Sequence, residues 1–227
     1  MSLVVNLRGT DGFVVAADSR GTIGDPRGLT AMNDDQQKIF QGSKWCAIGA
    51  SGSSELAAQV IETLRPKLKE KGAEFVEDIT DIAQRHAKQC FQEWFEKFAL
   101  NERPVVIMSL AGFSASKEPK LYLVASTLDF APQLCPTGRM LHGIPQYATY
   151  LMHRFYDPSA KVASLAKLAA YMITETATQD PKVGGPVRMA IIHEQHGYRD
   201  LSGDEVSRIV EDNKRKIEKM RAGFFEE

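Results

Sequence analysis

The chain has little of what marks secreted, membrane-spanning or nucleic-acid-binding proteins. Its 3 cysteines, Cys46, Cys90 and Cys135, are odd in number and in no C-x-x-C spacing, which favours reduced thiols in the cytoplasm over a disulfide framework. No apolar run approaches about 18 residues, and no positively charged stretch precedes an apolar segment at the start, so we expect neither a membrane span nor a secretion signal. With 28 Lys and Arg against 29 Asp and Glu, the net charge is −1. No broad attraction to nucleic acid or anionic membrane follows from this balance.

The composition fits a folded protein with a substantial core. Of the 227 residues, 43% are hydrophobic, enough for one large domain, which we expect to span residues 1–227. The apolar periodicity changes along the chain in the order strands, two helices, strands, two helices, strand, helix. Paired helices between antiparallel strand pairs favour an α+β fold, a four-layer αββα sandwich of two packed antiparallel sheets.

The first twenty residues predict a β-hairpin. Two apolar runs rich in valine, Leu3–Leu7 and Phe13–Ala17, flank a turn that contains Asp11-Gly12, a strong short-range hairpin signal. Because an antiparallel partner returns the chain to its start, Asp18 and Arg20 are expected near Ser2. If Met1 is removed, the amine and the hydroxyl of Ser2 belong to one residue, and the amine can act as the general base for the hydroxyl.

The rest of the chain gives a coarser prediction. Residues 21–37 are rich in turn residues and are predicted to form a loop, and the first helix, capped by Ser53 or Ser54, is expected to falter at Pro66. The other expected elements are strands at 38–40, 45–50, 105–111, 121–126 and 187–193, a short strand within 127–137, and helices at 74–98, 146–156, 161–178 and 203–221.

Several stretches resemble a known family. Ser2–Val5, Asp11–Thr22, Lys38–Phe40 and Ala50–Gly52 match, in order and nearly in spacing, the N-terminal third of proteasome β-type subunits and their bacterial relatives, which are N-terminal nucleophile hydrolases. The string Ala-Ala-Asp-Ser-Arg at 16–20 is the most specific part. Weaker similarity continues to the Gly-Gly pair at 184–185.

The resemblance implies a set of catalytic residues. Ser2 stands where the family's nucleophile, usually threonine, attacks a peptide carbonyl, and Asp18 pairs with Lys38 beside it, with Arg20 helping to hold Asp18. An ammonium group at this place lowers the pKa values of the amine and hydroxyl by charge. Gly52 would supply the oxyanion N–H, and Asp180 would support the amine.

The sequence departs from the family pattern at several places. Serine replaces threonine at position 2 and lacks the methyl group that restricts the side-chain rotamer. Two family serines are replaced, one within the segment around Gly143 and one at Val183. The segment between Arg20 and Lys38 is also longer than usual.

Taken singly, each of these residues has an ordinary structural explanation, such as an ion pair at a strand end for Asp18 and Arg20, or a surface position for Lys38. Two functions therefore stay open: a threonine- or serine-type peptidase acting on peptides or unfolded proteins within a homo-oligomeric ring, active only if Met1 is removed, or a non-catalytic structural subunit of such a particle. Neither requires a cofactor, and an ATPase partner is not identified by the sequence.

Two other motifs are rejected. The stretch Gly49–Ser53 lacks the final glycine of a G-x-S-x-G nucleophile elbow and has no obvious histidine partner. The two histidines in 193–196 lack the helical i, i+4 spacing of a zinc site, so no metal is predicted.

Overall fold

The computed structural model describes residues 2–25 and 28–225, which form twelve strands and five helices. The strands are β1 (Leu3–Gly9), β2 (Gly12–Ala17), β3 (Gly21–Asp25), β4 (Gly28–Asn33), β5 (Ile39–Ser43), β6 (Cys46–Gly52), β7 (Val106–Phe113), β8 (Pro119–Ala125), β9 (Gln133–Leu134), β10 (Arg139–Gly143), β11 (Arg188–His193) and β12 (Gly197–Asp200). The helices are α1 (Ser54–Lys71), α2 (Val76–Phe95), α3 (Gln146–Phe155), α4 (Val162–Gln179) and α5 (Gly203–Gly223).

Two antiparallel five-stranded sheets form the centre of the molecule. Their strand orders are β10-β1-β2-β11-β12 and β5-β6-β7-β8-β9, and an apolar cluster that includes Val4, Phe13 and Ala111 lies between them. A second cluster packs α1 and α2 on the outer face of the second sheet, and a third packs α3, α4 and α5 on the outer face of the first. The predicted αββα sandwich is confirmed.

The β1–β2 hairpin is buried on both faces because it belongs to an inner layer. Leu3, Val5 and Leu7 point toward the helices, whereas Val4 points toward the other sheet, as the twofold alternation of a strand requires. The strands pair with Val4 opposite Ala17, so the end of β2 lies beside the start of β1. The hairpin prediction is therefore confirmed.

Several local predictions were wrong. The expected loop at 21–37 contains a two-stranded ribbon, β3 and β4; Pro26 and Arg27 of its predicted turn lie outside the described residues. Helix α1 continues through Pro66 to Lys71, because packing of its apolar face outweighs the cost of one missing hydrogen bond. Strands β10 and β12 were not predicted, since neither has a clear run of apolar residues.

No helix in the described part of the chain is both long and apolar enough to cross a membrane.

Candidate active site

Asp18, directly after β2, accepts four hydrogen bonds at the start of the hairpin. Its Oδ1 accepts from Lys38 Nζ at 2.7 Å and from the backbone N–H of Leu3 at 2.9 Å. Its Oδ2 accepts from the backbone N–H groups of Arg20 at 3.2 Å and Gly184 at 3.1 Å. Since a carboxylate offers about four lone-pair sites, Asp18 is fully occupied. The carboxylate thereby ties the residue that follows Ser2 to the lysine.

Lys38 lies in the interior although lysine is usually a surface residue. Its side chain is 1% exposed, and Nζ also donates to the backbone oxygen of Arg20 at 2.7 Å. Burial lowers the pKa of the Lys38 ammonium, and the charge of Asp18 and its hydrogen bond oppose that effect. The ordinary interpretation of Lys38 as a surface residue is therefore wrong. Removing one partner of such a buried pair costs about 3–5 kcal/mol, because the other charge is left uncompensated.

Ser2 is 1% exposed and directly precedes β1. Its backbone oxygen accepts a hydrogen bond from the N–H of Ile144 at 2.8 Å. Strand alternation places its side chain on the same face of β1 as Val4, toward the other sheet. Ser2 Oγ is buried and has no hydrogen-bond partner within residues 2–25 and 28–225. A buried hydroxyl in this state costs about 1–3 kcal/mol and calls for an explanation.

Arg20 contacts Asp18 through its backbone and not through its guanidinium group. The side chain makes two hydrogen bonds to Asp34, at 2.7 and 2.8 Å, and one to the backbone oxygen of Pro181 at 3.0 Å. A side chain on Gly184 would collide with this group, since a Cβ there would lie 2.5 Å from the Arg20 guanidinium carbon. The expected support of Asp18 by Arg20 is thus a backbone contact, and the side chain anchors the segment that follows β4.

The two remaining predicted site residues lie at turns. Gly52 ends β6 with a φ of +93°, and a Cβ there would lie 2.2 Å from the Val105 backbone oxygen, so only glycine fits. Asp180 is half-buried at the end of α4, where its Oδ1 accepts from the N–H of Lys182 at 2.9 Å, a common turn contact. Asp180 also lines a cavity of about 340 Å³ whose wall includes Gly143.

A buried hydrogen-bond network, which was not predicted from the sequence, joins the two sheets. Ser51 Oγ lies 2.7 Å from His142 Nδ1, His142 Nε2 lies 3.0 Å from Ser109 Oγ, and Ser109 Oγ donates to Asn6 Oδ1 at 3.1 Å. All four residues are at most 5% exposed. Complete burial lowers the pKa of His142 to about 3, so the imidazole is neutral. The statement that Ser51 has no histidine partner was therefore wrong.

The sequence does contain a signal for this hydrogen-bond network, in the form of polar residues within apolar strands. Asn6, Ser51 and Ser109 are polar residues within apolar strands, at positions whose alternation points them inward. Buried polar side chains need partners, so three of them in different strands indicate a shared network. Gly184, whose N–H binds Asp18, was noted only as part of a break after α4.

A family model and several solved structures are similar to this chain over most of its length. The sequence model of a family described as Proteasome subunit matches residues 2–192. A search of curated proteins finds no match. One similar solved structure is the helical assembly of the Anbu complex from Pseudomonas aeruginosa, with 17% identity, coverage of 97% of this chain and 95% of that chain, and a TM-score of 0.78. Anbu, the ancestral beta-subunit, from Yersinia bercovieri has 12% identity, coverage of 99% of this chain and 97% of that chain, and a TM-score of 0.78. The Gly-1 mutant of Anbu from Hyphomicrobium sp. strain MC1 has 14% identity, coverage of 98% of this chain and 97% of that chain, and a TM-score of 0.74. At these identities the likeness shows the fold.

Proposed function

Because this chain belongs to the proteasome subunit family, we propose that it is a peptidase subunit with Ser2 as its N-terminal nucleophile. The observation that carries the proposal is the buried pair of Asp18 and Lys38, which is hydrogen-bonded to the residue directly after Ser2. A buried ion pair contributes little to stability compared with apolar packing. Its position beside a buried hydroxyl therefore favours a catalytic role.

The proposed reaction proceeds in two steps after the peptide bond before Ser2 has been cleaved. The freed amine accepts the hydroxyl proton, Ser2 Oγ bonds to the carbonyl carbon of the substrate, and the C–N bond breaks as the leaving amine takes up a proton. Water then attacks the ester and releases the acid, which restores the hydroxyl. The ammonium of Lys38 stabilises the developing alkoxide by charge.

The other site residues position these groups. The N–H of Gly52 is assigned to the oxyanion that forms on the substrate carbonyl. Arg20 fixes the segment after β4 at the site, and Asp180 supports the terminal amine from the cavity that it shares with Gly143. None of these steps calls for a metal ion or a cofactor.

The proposed substrates are peptides and unfolded protein segments, and the proposed particle is a homo-oligomer. The Pseudomonas aeruginosa relative is described as a helical assembly, which supports self-association of this chain as a ring or a related closed or helical form. Large exposed apolar side chains on the outer helices, such as Tyr150 at 60% and Phe155 at 49%, support the same proposal.

A non-catalytic structural subunit is the second candidate. The structural role is favoured when a residue stays attached before Ser2, because the Ser2 hydroxyl then has no free amine beside it. Ser2 is also nearly completely buried, so its hydroxyl has no access to substrate in that state. Mass spectrometry of natively expressed protein separates the two functions, since a chain that begins at Ser2 is required for catalysis.

The test uses protein released from a cleavable leader so that Ser2 is the first residue. We expect Ser2→Ala to lower kcat/KM for peptide hydrolysis by at least about 100-fold, because the nucleophile is lost. Ser2→Thr, which keeps the hydroxyl, is the matched control and should retain activity. Equal turnover by the parent and Ser2→Ala would exclude Ser2 as the nucleophile.

A further inference from the structure

A second ion pair adjoins that of Asp18 and Lys38. The guanidinium of Arg20 binds both carboxylate oxygens of Asp34, with Nε 2.7 Å from Oδ1 and Nη2 2.8 Å from Oδ2. Two parallel charged hydrogen bonds of this kind are stronger than a single neutral one and fix the orientation of both groups. The side chains of Arg20 and Asp34 are 21% and 43% exposed, so water screens their charges only in part.

The guanidinium of Arg20 lies against the backbone that holds Asp18. A Cβ on Gly184 would lie 2.5 Å from the guanidinium carbon, so the contact requires glycine at this position. Nη1 of Arg20 donates to the backbone oxygen of Pro181 at 3.0 Å. The group therefore spans the backbone from 181 to 184, and the N–H of Gly184 donates to Asp18 Oδ2 at 3.1 Å.

Arg20 also contacts Lys38, because its backbone oxygen accepts a hydrogen bond from Nζ at 2.7 Å. The same residue thus binds the buried ammonium and carries a second positive charge on its side chain. Burial is the main cause that lowers the pKa of Lys38; the charges of Asp18 and Asp34 raise it, and the charge of Arg20 lowers it. A like charge near an ammonium favours loss of its proton unless a carboxylate offsets that charge.

The acidic residues near the Arg20 side chain differ in what they bind. Asp18 has its four lone-pair sites filled, and it accepts from the backbone N–H of Arg20 and not from the guanidinium. Asp35 accepts from Nη2 of Arg188 at 2.9 Å, and its side chain is 85% exposed. Among the residues that the structure describes, Asp34 is therefore the acid that neutralises the guanidinium of Arg20.

We propose that Asp34 is a positioning residue, which neutralises the guanidinium of Arg20 and thereby keeps the neighbouring Lys38 in its charged form. This inference rests on the proposed function, in which the charged lysine stabilises the alkoxide of Ser2. Asp34 does not touch the reacting groups in this scheme. It acts through Arg20, whose guanidinium it also holds against the backbone of Gly184.

The test measures the pKa of Lys38 itself, by NMR of protein labelled with ¹³C at the Cε atoms of lysine. The signal of Lys38 is assigned by its absence in Lys38→Arg and by a pKa below the usual value of lysine. Asp34→Asn should lower this pKa by about half a unit, because the guanidinium is left without its counter-charge. Arg20→Gln should raise the pKa, because the like charge is removed while that of Asp34 remains. The double variant should return close to the parent, since the two changes cancel.

The same variants of processed protein are assayed for kcat and KM from about pH 7 to 11, a range that includes the pKa of a lysine. We expect the alkaline fall in kcat to move with the pKa of Lys38, to lower pH in Asp34→Asn and to higher pH in Arg20→Gln. On this alkaline limb Asp34→Asn should lower kcat about threefold with KM unchanged. Asp34→Glu, which keeps the charge, should stay near the parent.

Asp35→Asn is the matched control, since Asp35 is the next residue and also pairs with an arginine, Arg188 at the start of β11. It should leave the pKa of Lys38 and kcat unchanged. A pKa that stays fixed in Asp34→Asn, or that moves in the same direction in Asp34→Asn and Arg20→Gln, would overturn the proposal. The NMR measurement does not require catalysis, so the predicted pKa shifts in a parent that hydrolyses no peptide would count against the proposed function alone. Unfolding free energies of all variants identify any loss of activity that comes from misfolding.

Discussion

At the scale of the residue, the site combines a buried charge pair with a buried neutral histidine. Asp18 and Lys38 neutralise each other, and hydrogen bonds satisfy the carboxylate completely. His142 has no such counter-charge among its hydrogen-bond partners, which are the hydroxyls of Ser51 and Ser109. The interior therefore tolerates its imidazole only in the neutral form.

The neutral state of His142 predicts how stability depends on pH. Burial lowers its pKa from 6.5 to about 3 in the folded chain, so between these values the unfolded chain binds one more proton. The stability present above pH 6.5 is lost as pH falls, by about 1.4 kcal/mol per pH unit. Urea unfolding at pH 6.5, 5.5 and 4.5 should show this extra slope in the parent and not in His142→Gln. Parallel curves for the two proteins would contradict the assignment.

At the scale of the element, β10 places Gly143 and His142 beside the start of β1. It pairs with β1 so that Leu3 lies opposite Gly143 and Val4 opposite His142. Gly143 has a φ of +97°, a conformation that side chains with a Cβ rarely adopt. The backbone of this one residue thus allows β10 to approach Ser2 and turn into α3.

Gly143→Ala should therefore damage the site more than an ordinary glycine substitution. Gly72, which ends α1 with a φ of +60°, is the matched control, because a Cβ at that position would have nothing within 4 Å. Both changes carry a backbone strain of about 1–2 kcal/mol, but only Gly143→Ala also collides with the Ser2 backbone oxygen. We expect Gly143→Ala to lower the free energy of unfolding more than Gly72→Ala does. Only Gly143→Ala should also lose peptidase activity. Equal effects of the two substitutions on activity would show that β10 does not constrain Ser2.

At the scale of the whole molecule, several large apolar side chains are exposed on α3 and α5. Phe155 and Met220 border a groove of about 350 Å³ there, and Tyr147 and Tyr150 lie on α3 nearby. Such a surface on a folded chain indicates a contact with another protein chain. The proposed homo-oligomer provides that contact.

Light scattering coupled to size exclusion tests the assembly. The parent should have a mass several times the 25.2 kDa of one chain. Phe155→Glu should lower that mass, because a charge would be buried at the contact. Phe98→Glu is the matched control, since Phe98 is equally exposed, at 50% against 49%, but follows α2 on the opposite layer. A monomeric parent would exclude the oligomer, and a Phe155→Glu variant that keeps the mass of the parent would place the contact elsewhere.

The sequence by itself determined the elements whose signals are local. The β1–β2 hairpin follows from two valine-rich runs and one Asp-Gly turn, and the return of β2 places Asp18 beside the start of β1 without knowledge of the rest of the chain. The order of strands and helices follows from hydrophobic periodicity, which reflects which face each element buries. The ribbon of β3 and β4 was not predicted from the sequence, because its strands are short and lie in a segment rich in turn residues.

Only the tertiary structure decided which distant residues complete the site. The N–H of Gly184 reaches Asp18 across 166 positions, and His142 reaches Ser51 across 91. Ser51 meets His142 only because the two sheets pack face to face, and Gly184 meets Asp18 only because the segment after α4 returns to the end of β2. The burial that neutralises His142 and encloses Lys38 is likewise a property of the packed layers, and not of either residue's neighbours in the sequence.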